Sequence, residues 1–99
     1  NLINMSRINK KFKTAYKADE MKNWVSVNIL PHPLLGQFVN STTWNGNSLF
    51  MDTKFGTGNI ILNDYLVEVD FELNVIGSMA SKTIEETLDK EFKKLEAKN

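Results

Sequence analysis

The sequence predicts a single-domain α+β fold, in which an antiparallel sheet packs on a C-terminal helix in the order β-α-β-β-β-β-α. Three observations support it: an alternating run at 65–77, a helical stripe after Gly77, and short strands between turn residues at 42–62. A length of 99 residues suits one domain with one core. We expect this domain to span 6–99, and 1–5 to be an extension, either natural or a remnant of cloning.

The alternating run predicts the last and longest strand of the sheet. Successive strand side chains point to opposite faces, so the Glu68, Asp70 and Glu72 carboxylates share one face. The opposite face is apolar and comprises Tyr65, Val67, Val69, Phe71, Leu73 and Val75. A one-residue slip would bury the carboxylates, so the register of this strand is fixed.

The segment after Gly77 predicts an amphipathic helix, with Ser78 or Ser81 as its N-cap. Its apolar residues recur at helical spacing and form one stripe: Ile84, Leu88, Phe92 and Leu95. The charged residues between them are interpreted as a solvated face.

The N-terminal segment predicts a first strand with an apolar inner row and a basic outer row. The inner row is Ile8, Phe12, Thr14 and Tyr16, interrupted by Lys10, and the outer row includes Arg7, Lys11 and Lys13. Opposite charges on neighbouring strands stabilise a sheet, which favours pairing of the first strand with the acidic last strand. The alternative is that both rows face water.

A helix is predicted to begin at Ala18 or Asp19 and to end before Pro31 and Pro33, because proline cannot continue a helix. Its inward residues are Met21, Trp24, Val25, Asn28 and Ile29. A short helical turn is predicted at 33–39, with Leu34, Leu35 and Phe38 inward. The Pro31-His32-Pro33 segment, which interrupts the helix, is the expected hinge or lid.

Short strands are predicted at 42–44, 48–55 and 59–62. Asn45-Gly46 is typical of a two-residue hairpin, since both residues tolerate positive φ. Gly56-Thr57-Gly58 is interpreted as the next hairpin turn, because it lacks the strand-to-helix setting of a dinucleotide loop.

Composition narrows the functional classes. Twelve basic and twelve acidic residues give zero formal charge, which argues against nucleic acid as a partner. Cysteine is absent, so there is no disulfide or thiol chemistry. No apolar run is long enough for a transmembrane segment, and no signal-peptide pattern is present. We expect a soluble, cytoplasmic protein.

Candidate chemical groups are few. His32 is the sole histidine, and it is interpreted as an exposed loop residue between two prolines. Glu68, Asp70 and Glu72 could bind a cation weakly, but an ion-paired or solvated face is favoured. We therefore expect no catalytic residue, no metal site and no cofactor.

From Met21 to the end, the chain resembles the polyhydroxyalkanoic acid system proteins of bacteria, which are linked to storage-polyester granules. The resemblance is carried by Trp44-Asn-Gly-Asn-Ser-Leu, Gly58-Asn-Ile-Ile-Leu, Val67-Glu-Val-Asp-Phe-Glu-Leu and Ile84-Glu-Glu-Thr-Leu-Asp-Lys-Glu-Phe. It implies a reduced helix-grip (START-like) fold, with a sheet wrapped on the C-terminal helix. A cystatin-like fold is the alternative, but it offers no place for the Ile84 to Leu95 stripe.

Two functions remain open. The first is a non-enzymatic accessory module that binds a hydrophobic ligand or docks on a polyhydroxyalkanoate granule surface. Its expected apolar cavity is modest or collapsed, and its predicted residues are Trp24, Leu49, Met51, Phe55, Val69, Phe71, Leu88 and Phe92. The second is a homo-oligomeric assembly protein with a filled core. Outward Phe50, Leu66 and Ile76 favour a homodimer if they cluster.

Overall fold

The computed structural model describes residues 6–97, which form a five-stranded antiparallel sheet and three helices. The elements are β1 (Ser6–Lys13), α1 (Ala18–Asn28), β2 (Val39–Asn45), β3 (Ser48–Thr53), β4 (Gly56–Asn63), β5 (Leu66–Leu73), α2 (Val75–Met79) and α3 (Ser81–Lys93). The strands lie in the order β1-β5-β4-β3-β2. The predicted α+β class is confirmed, with α2 as an additional helix. The predicted extension at 1–5 lies outside the described residues.

The predicted pairing of the first and last strands is confirmed. β1 runs antiparallel to β5, with Arg7 opposite Glu72 and Lys11 opposite Glu68. The Arg7 guanidinium donates two hydrogen bonds to the Asp70 carboxylate, both 2.9 Å long. Asn9 Nδ2 donates to Glu68 at 3.3 Å. The carboxylates of β5 therefore stabilise the sheet edge through cross-strand contacts.

One hydrophobic core lies between the sheet and the helices. The sheet contributes Ile8, Leu49, Met51, Ile60, Leu62, Val67, Val69 and Leu73, and the α1 segment contributes Ala18, Met21, Val25 and Ile29. The predicted helical stripe is confirmed, because Ile84, Leu88, Phe92 and Leu95 are all buried in the same cluster. Burial of these side chains removes apolar surface from water and holds the helices on the sheet.

The first strand also holds α3 through polar contacts. Lys10, which interrupts the apolar row of β1, forms ion pairs with Asp89 at 3.0 Å and Glu85 at 3.6 Å. The hydrogen bond to Asp89 raises the pKa of Lys10. Just after the strand, the Ala15 amide donates to the Leu95 carbonyl at 2.9 Å. Lys10 thus extends its aliphatic stem along the core and its ammonium toward α3.

The first and last strands of the chain are shorter than the sequence predicts. β1 ends at Lys13, and Tyr16 is exposed rather than inward. Tyr65 is also exposed, in a turn with φ 67°, a left-handed conformation that points its side chain out of the inner row. The Tyr65 amide donates a hydrogen bond to the Tyr16 carbonyl at 2.8 Å, which joins the turn before β5 to the segment after β1.

The first helix begins at Ala18, as predicted. Glu20 accepts a hydrogen bond from the Lys17 amide and Asp64 accepts one from the Ala18 amide, both at 2.9 Å. These carboxylates satisfy free amides of the first turn, where the helix dipole also favours negative charge. Asn28, predicted inward, is exposed at the end of α1.

The C-terminal end of β5 differs from the prediction because Asn74 starts a helix. Its side chain accepts a hydrogen bond from the Gly77 amide at 2.9 Å, so Val75 and Ile76 lie exposed in α2 rather than in the strand. The predicted serine caps of α3 are wrong. Its N-cap is Ala80, with no side-chain capping bond, and the Ser78 hydroxyl lies 2.8 Å from that of Ser6.

The interpretation of Gly56-Thr57-Gly58 as a turn is wrong, because these residues begin β4 and the turn lies at 54–55. Gly58 faces the core beside Phe71, and a Cβ at Gly58 would lie 2.5 Å from the Phe71 ring. The missing side chain makes room for the ring.

The β2–β3 hairpin turn lies one residue later than predicted. Asn45 pairs with Ser48 at the strand ends, and the turn itself is 46–47. Gly46 has φ 60° at the first turn position. Glycine is favoured there because it has no Cβ.

Candidate functional site

A small apolar cavity, partly open to solvent, lies between the sheet, α3 and the loop at 29–38. Its volume is about 50 Å³. It is lined by Ile29, Leu34, Leu35, Met51, Thr53, Phe55, Ile60, Phe71, Leu73, Ile84 and Leu88. The loop, the β3–β4 turn and the helix therefore each supply a wall.

The described residues that line the cavity offer no free polar group. Among them Thr53 is the one polar residue, and its hydroxyl donates to the Gly56 carbonyl at 2.9 Å and accepts from the Phe55 amide at 3.0 Å. A charged or strongly polar group placed there would lose its hydration without gaining a partner. The cavity is chemically suited to an uncharged apolar group.

The structure divides the eight predicted site residues into two sets. Met51, Phe55, Phe71 and Leu88 line the cavity. The others, Trp24, Leu49, Val69 and Phe92, belong to the core or pack against it. The sequence pattern identifies which side chains of the sheet and helices point inward. It does not show where along this inward face the packing is incomplete.

The second set lies in a tightly packed part of the core, where aromatic rings meet. Phe92 stacks on Phe12 with ring centroids 5.1 Å apart, and Trp24 is tilted against Phe92 at 5.4 Å. Leu49 and Val69 have no exposed surface. These side chains hold the helices to the sheet but do not line the cavity.

His32 organises the loop that supplies Leu34 and Leu35 to the cavity. Its Nδ1 accepts hydrogen bonds from the Leu34 amide at 3.0 Å and the Leu35 amide at 3.2 Å. Its side chain is only 19 % exposed, so the prediction of an exposed loop residue is wrong. The prolines fix the local backbone, and the imidazole closes the turn formed by residues 32–35.

The other imidazole nitrogen faces α3. His32 Nε2 lies 3.5 Å from the carboxylate of Glu91, which is itself buried and also pairs with Lys94 at 3.0 Å. Because Nδ1 accepts two amide hydrogens, the neutral imidazole carries its proton on Nε2, toward the carboxylate. Nδ1 is thus hydrogen-bonded to the loop backbone, and Nε2 lies within ion-pair distance of the Glu91 carboxylate.

The cavity-facing loop is also held by a close backbone contact at Gly36. A Cβ at this position would lie 1.8 Å from the Leu30 carbonyl oxygen. Glycine therefore permits the loop to fold back against the end of α1. The Gly36 amide donates to the His32 carbonyl at 2.9 Å, which tightens the same turn.

Exposed apolar side chains lie next to the Phe55 wall of the cavity. Phe55 packs edge-to-face on Phe38 at 5.1 Å, and its carbonyl accepts the Asn74 amide at 3.0 Å. Asn74 opens α2, whose outer residues Val75, Ile76 and Met79 are 58 %, 49 % and 85 % exposed. We call Phe38, Phe55, Val75, Ile76 and Met79 the apolar end of the molecule.

The predicted outward apolar cluster is not a single patch. Phe50 is exposed on the outer face of β3, whereas Ile76 lies in α2 and Leu66 is half-buried on β5.

Comparisons with protein-family models, with curated proteins and with solved structures gave no match. Within residues 6–97, no three histidine or carboxylate side chains are grouped so as to hold a metal ion. Nor does any helix of this part of the chain have the length and apolar character needed to cross a membrane.

Proposed function

We propose that this protein is a small non-enzymatic binding module that takes an uncharged aliphatic group into the cavity beneath the 29–38 loop. The observation that carries the proposal is the cavity lining, in which apolar side chains surround a single hydroxyl that is already hydrogen-bonded. Such a site gains free energy from apolar burial and has no means of recognising charge.

The size of the cavity restricts the bound group. At about 50 Å³ it is far smaller than the roughly 150 Å³ that admits benzene in an engineered cavity. We therefore propose that only the end of an aliphatic chain enters, and that the rest of the ligand lies over the apolar end. A storage-polyester surface, with its short aliphatic groups and ester links, is one ligand of this chemistry.

The arrangement of polar groups supports a binding role over an enzymatic one. Nδ1 of His32 accepts two backbone hydrogen bonds, Nε2 faces the Glu91 carboxylate at 3.5 Å, and that carboxylate is also paired with Lys94. No described polar side chain points into the cavity with a free donor or acceptor. These groups hold the loop and helix in place around an apolar site.

The proposal is tested by titrating methyl-labelled protein with 1-hexanol and following the methyl resonances of residues in the cavity wall. We expect saturable shifts at Met51 and Ile84. Leu35→Trp, which fills the cavity from the loop, should weaken the apparent affinity at least about tenfold, since the lost contacts cannot be made elsewhere.

Val27→Trp is the matched control, because Val27 is 60 % exposed on α1 and does not line the cavity. It should bind as the unmodified protein does. Equal binding by both variants, or an absence of saturable shifts, would overturn the proposal.

Docking on a surface is a separate readout of the same site. Poly(3-hydroxybutyrate) particles should co-sediment with the protein, and Met79→Ser should reduce this binding because Met79 is the most exposed residue of the apolar end. If Met79→Ser binds the particles as well as the unmodified protein does, the apolar end is not the docking surface.

A further inference from the structure

The two edges of the sheet differ in their protection against pairing with another strand. β1, at one edge, carries Arg7, Lys10, Lys11 and Lys13 among its eight residues. β2, at the other edge, reads Val-Asn-Ser-Thr-Thr-Trp-Asn and has no charged residue and no proline. Charges and prolines are the usual devices that stop an edge strand from adding a neighbour.

The β2 edge is open over several residues. Residues 40–43 are all exposed, and no other strand of the described chain lies beyond β2. The pairing of β2 with β3 has a register shift between Val39 and Ser41, at the start of the strand. The remainder, from Thr42 to the hairpin, is regular.

The hairpin geometry fixes which backbone groups face outward. Asn45 and Ser48 close the two-residue turn, so they form a hydrogen-bonded pair. Alternation then makes Trp44 and Thr42 non-hydrogen-bonded positions, whose N–H and C=O groups point away from β3. Within residues 6–97, the edge therefore presents two residues with free backbone donors and acceptors, as a further strand requires.

We propose that β2 is a dimerisation edge, and that its occupant is the β2 strand of a second copy of this chain, paired antiparallel across a twofold axis. β1 against β1 would bring basic side chains close together, which is unfavourable. β1 against β2 would leave free edges at both ends and grow into an open filament. Of the two pairings that close, β1 with β1 and β2 with β2, only β2 with β2 sets no charges opposite each other.

The side chains of β2 are compatible with this pairing. With the axis at Thr43, this residue of one copy lies opposite the same residue of the other, a favourable cross-strand pair, and the outward backbone groups of Thr42 in one copy meet those of Trp44 in the other. Such a dimer is a continuous ten-stranded sheet, with the helices of each copy on its own part of the inner face.

The test is the mass in solution, measured by sedimentation velocity, of the protein and of charge variants at Thr43, which is exposed on the outer face of β2. The unmodified protein should have a mass in solution of twice the 11.3 kDa of one chain. Thr43→Lys and Thr43→Glu should each raise the dimer dissociation constant about tenfold or more, because like charges then face each other. A mixture of the two variants should restore the dimer.

Thr57→Lys is the matched control, since Thr57 is exposed on the same face but lies on the inner strand β4. It should leave the dissociation constant unchanged. A monomeric unmodified protein, or a dimer that tolerates Thr43→Lys, would overturn the proposal. Failure of the mixed Thr43→Lys and Thr43→Glu variants to associate would also overturn it. If β2 instead paired with a different protein, the opposite charges of the two variants would not bring them together.

Discussion

Phe12 of β1 and Phe92 of α3 stack with ring centroids 5.1 Å apart and planes inclined by 20°. This contact joins the first strand to the last helix, and Trp24 of α1 closes it from the side. α3 is far from β1 and α1 in sequence, so the contact fixes the last helix on the first two elements of the fold. Loss of this contact should therefore lower the stability of the whole domain.

Phe92→Ala should lower the free energy of unfolding by about 3–5 kcal/mol, because a fully buried ring is replaced by a cavity. Urea denaturation measures the change. Val75→Ala, at an exposed position of α2, is the control and should cost less than about 0.5 kcal/mol. A loss below about 1 kcal/mol for Phe92→Ala would show that α3 is not part of the core.

Substitutions of His32 should separate its two contacts. His32→Asn can retain an acceptor near the position of Nδ1, whereas His32→Gln can place a donor near the position of Nε2. We expect His32→Asn to preserve most of the protection of the Leu34 and Leu35 amides from hydrogen exchange, and His32→Gln to lose it. Equal protection in both variants would mean that the imidazole does not cap the loop.

Gly58→Ala should destabilise the sheet by about 1–3 kcal/mol, because the new methyl group meets the Phe71 ring and the Asp70 carbonyl. Thermal unfolding followed by circular dichroism provides the measurement. Thr57→Ala, one residue earlier and exposed on the outer face, should have little effect. If the two substitutions have equal effects, Phe71 does not occupy the space over Gly58.

The Arg7–Asp70 pair should make stability depend on acid pH. The Arg7 guanidinium lowers the pKa of Asp70 by hydrogen bonding to its carboxylate. The contribution of this pair is therefore complete above the ordinary aspartate pKa of about 3.9 and is lost as the pH falls through the lower pKa of the folded state.

Asp70→Asn should accordingly unfold at a lower temperature than the unmodified protein near neutral pH. The difference should shrink as the pH falls below about 3.9. Asp52→Asn is the control on the same sheet face, since Asp52 has no ion-pair partner among residues 6–97. A constant difference at every pH would show that the pair is not the source of the effect.

The sequence could predict those parts of the fold that depend on local periodicity and charge. The alternation along β5 and the stripe of α3 identify their buried faces, because each follows one simple repeat. The charge rows of β1 and β5 also predict which strands pair. The short helix α2 was missed, since five residues show no helical period and Asn74 alone starts it.

The candidate site was only partly predictable, because its key contacts join residues that are distant in the chain. The inward face contained Met51 and Leu88, but no pattern shows where a core is incompletely packed. The contact of His32 with Glu91 could not be found from sequence either. It depends on how the Pro-His-Pro loop folds against α3, which the close approach at Gly36 permits.

The most direct test of the cavity as a binding site is a set of intermolecular nuclear Overhauser effects from the terminal methyl group of 1-hexanol. If the aliphatic end enters beneath the loop, they will connect that methyl group to Met51, Ile84 and Leu88, and will vanish in Leu35→Trp. Contacts only to Ile61, on the outer face of β4, or no contacts at all, would contradict the account.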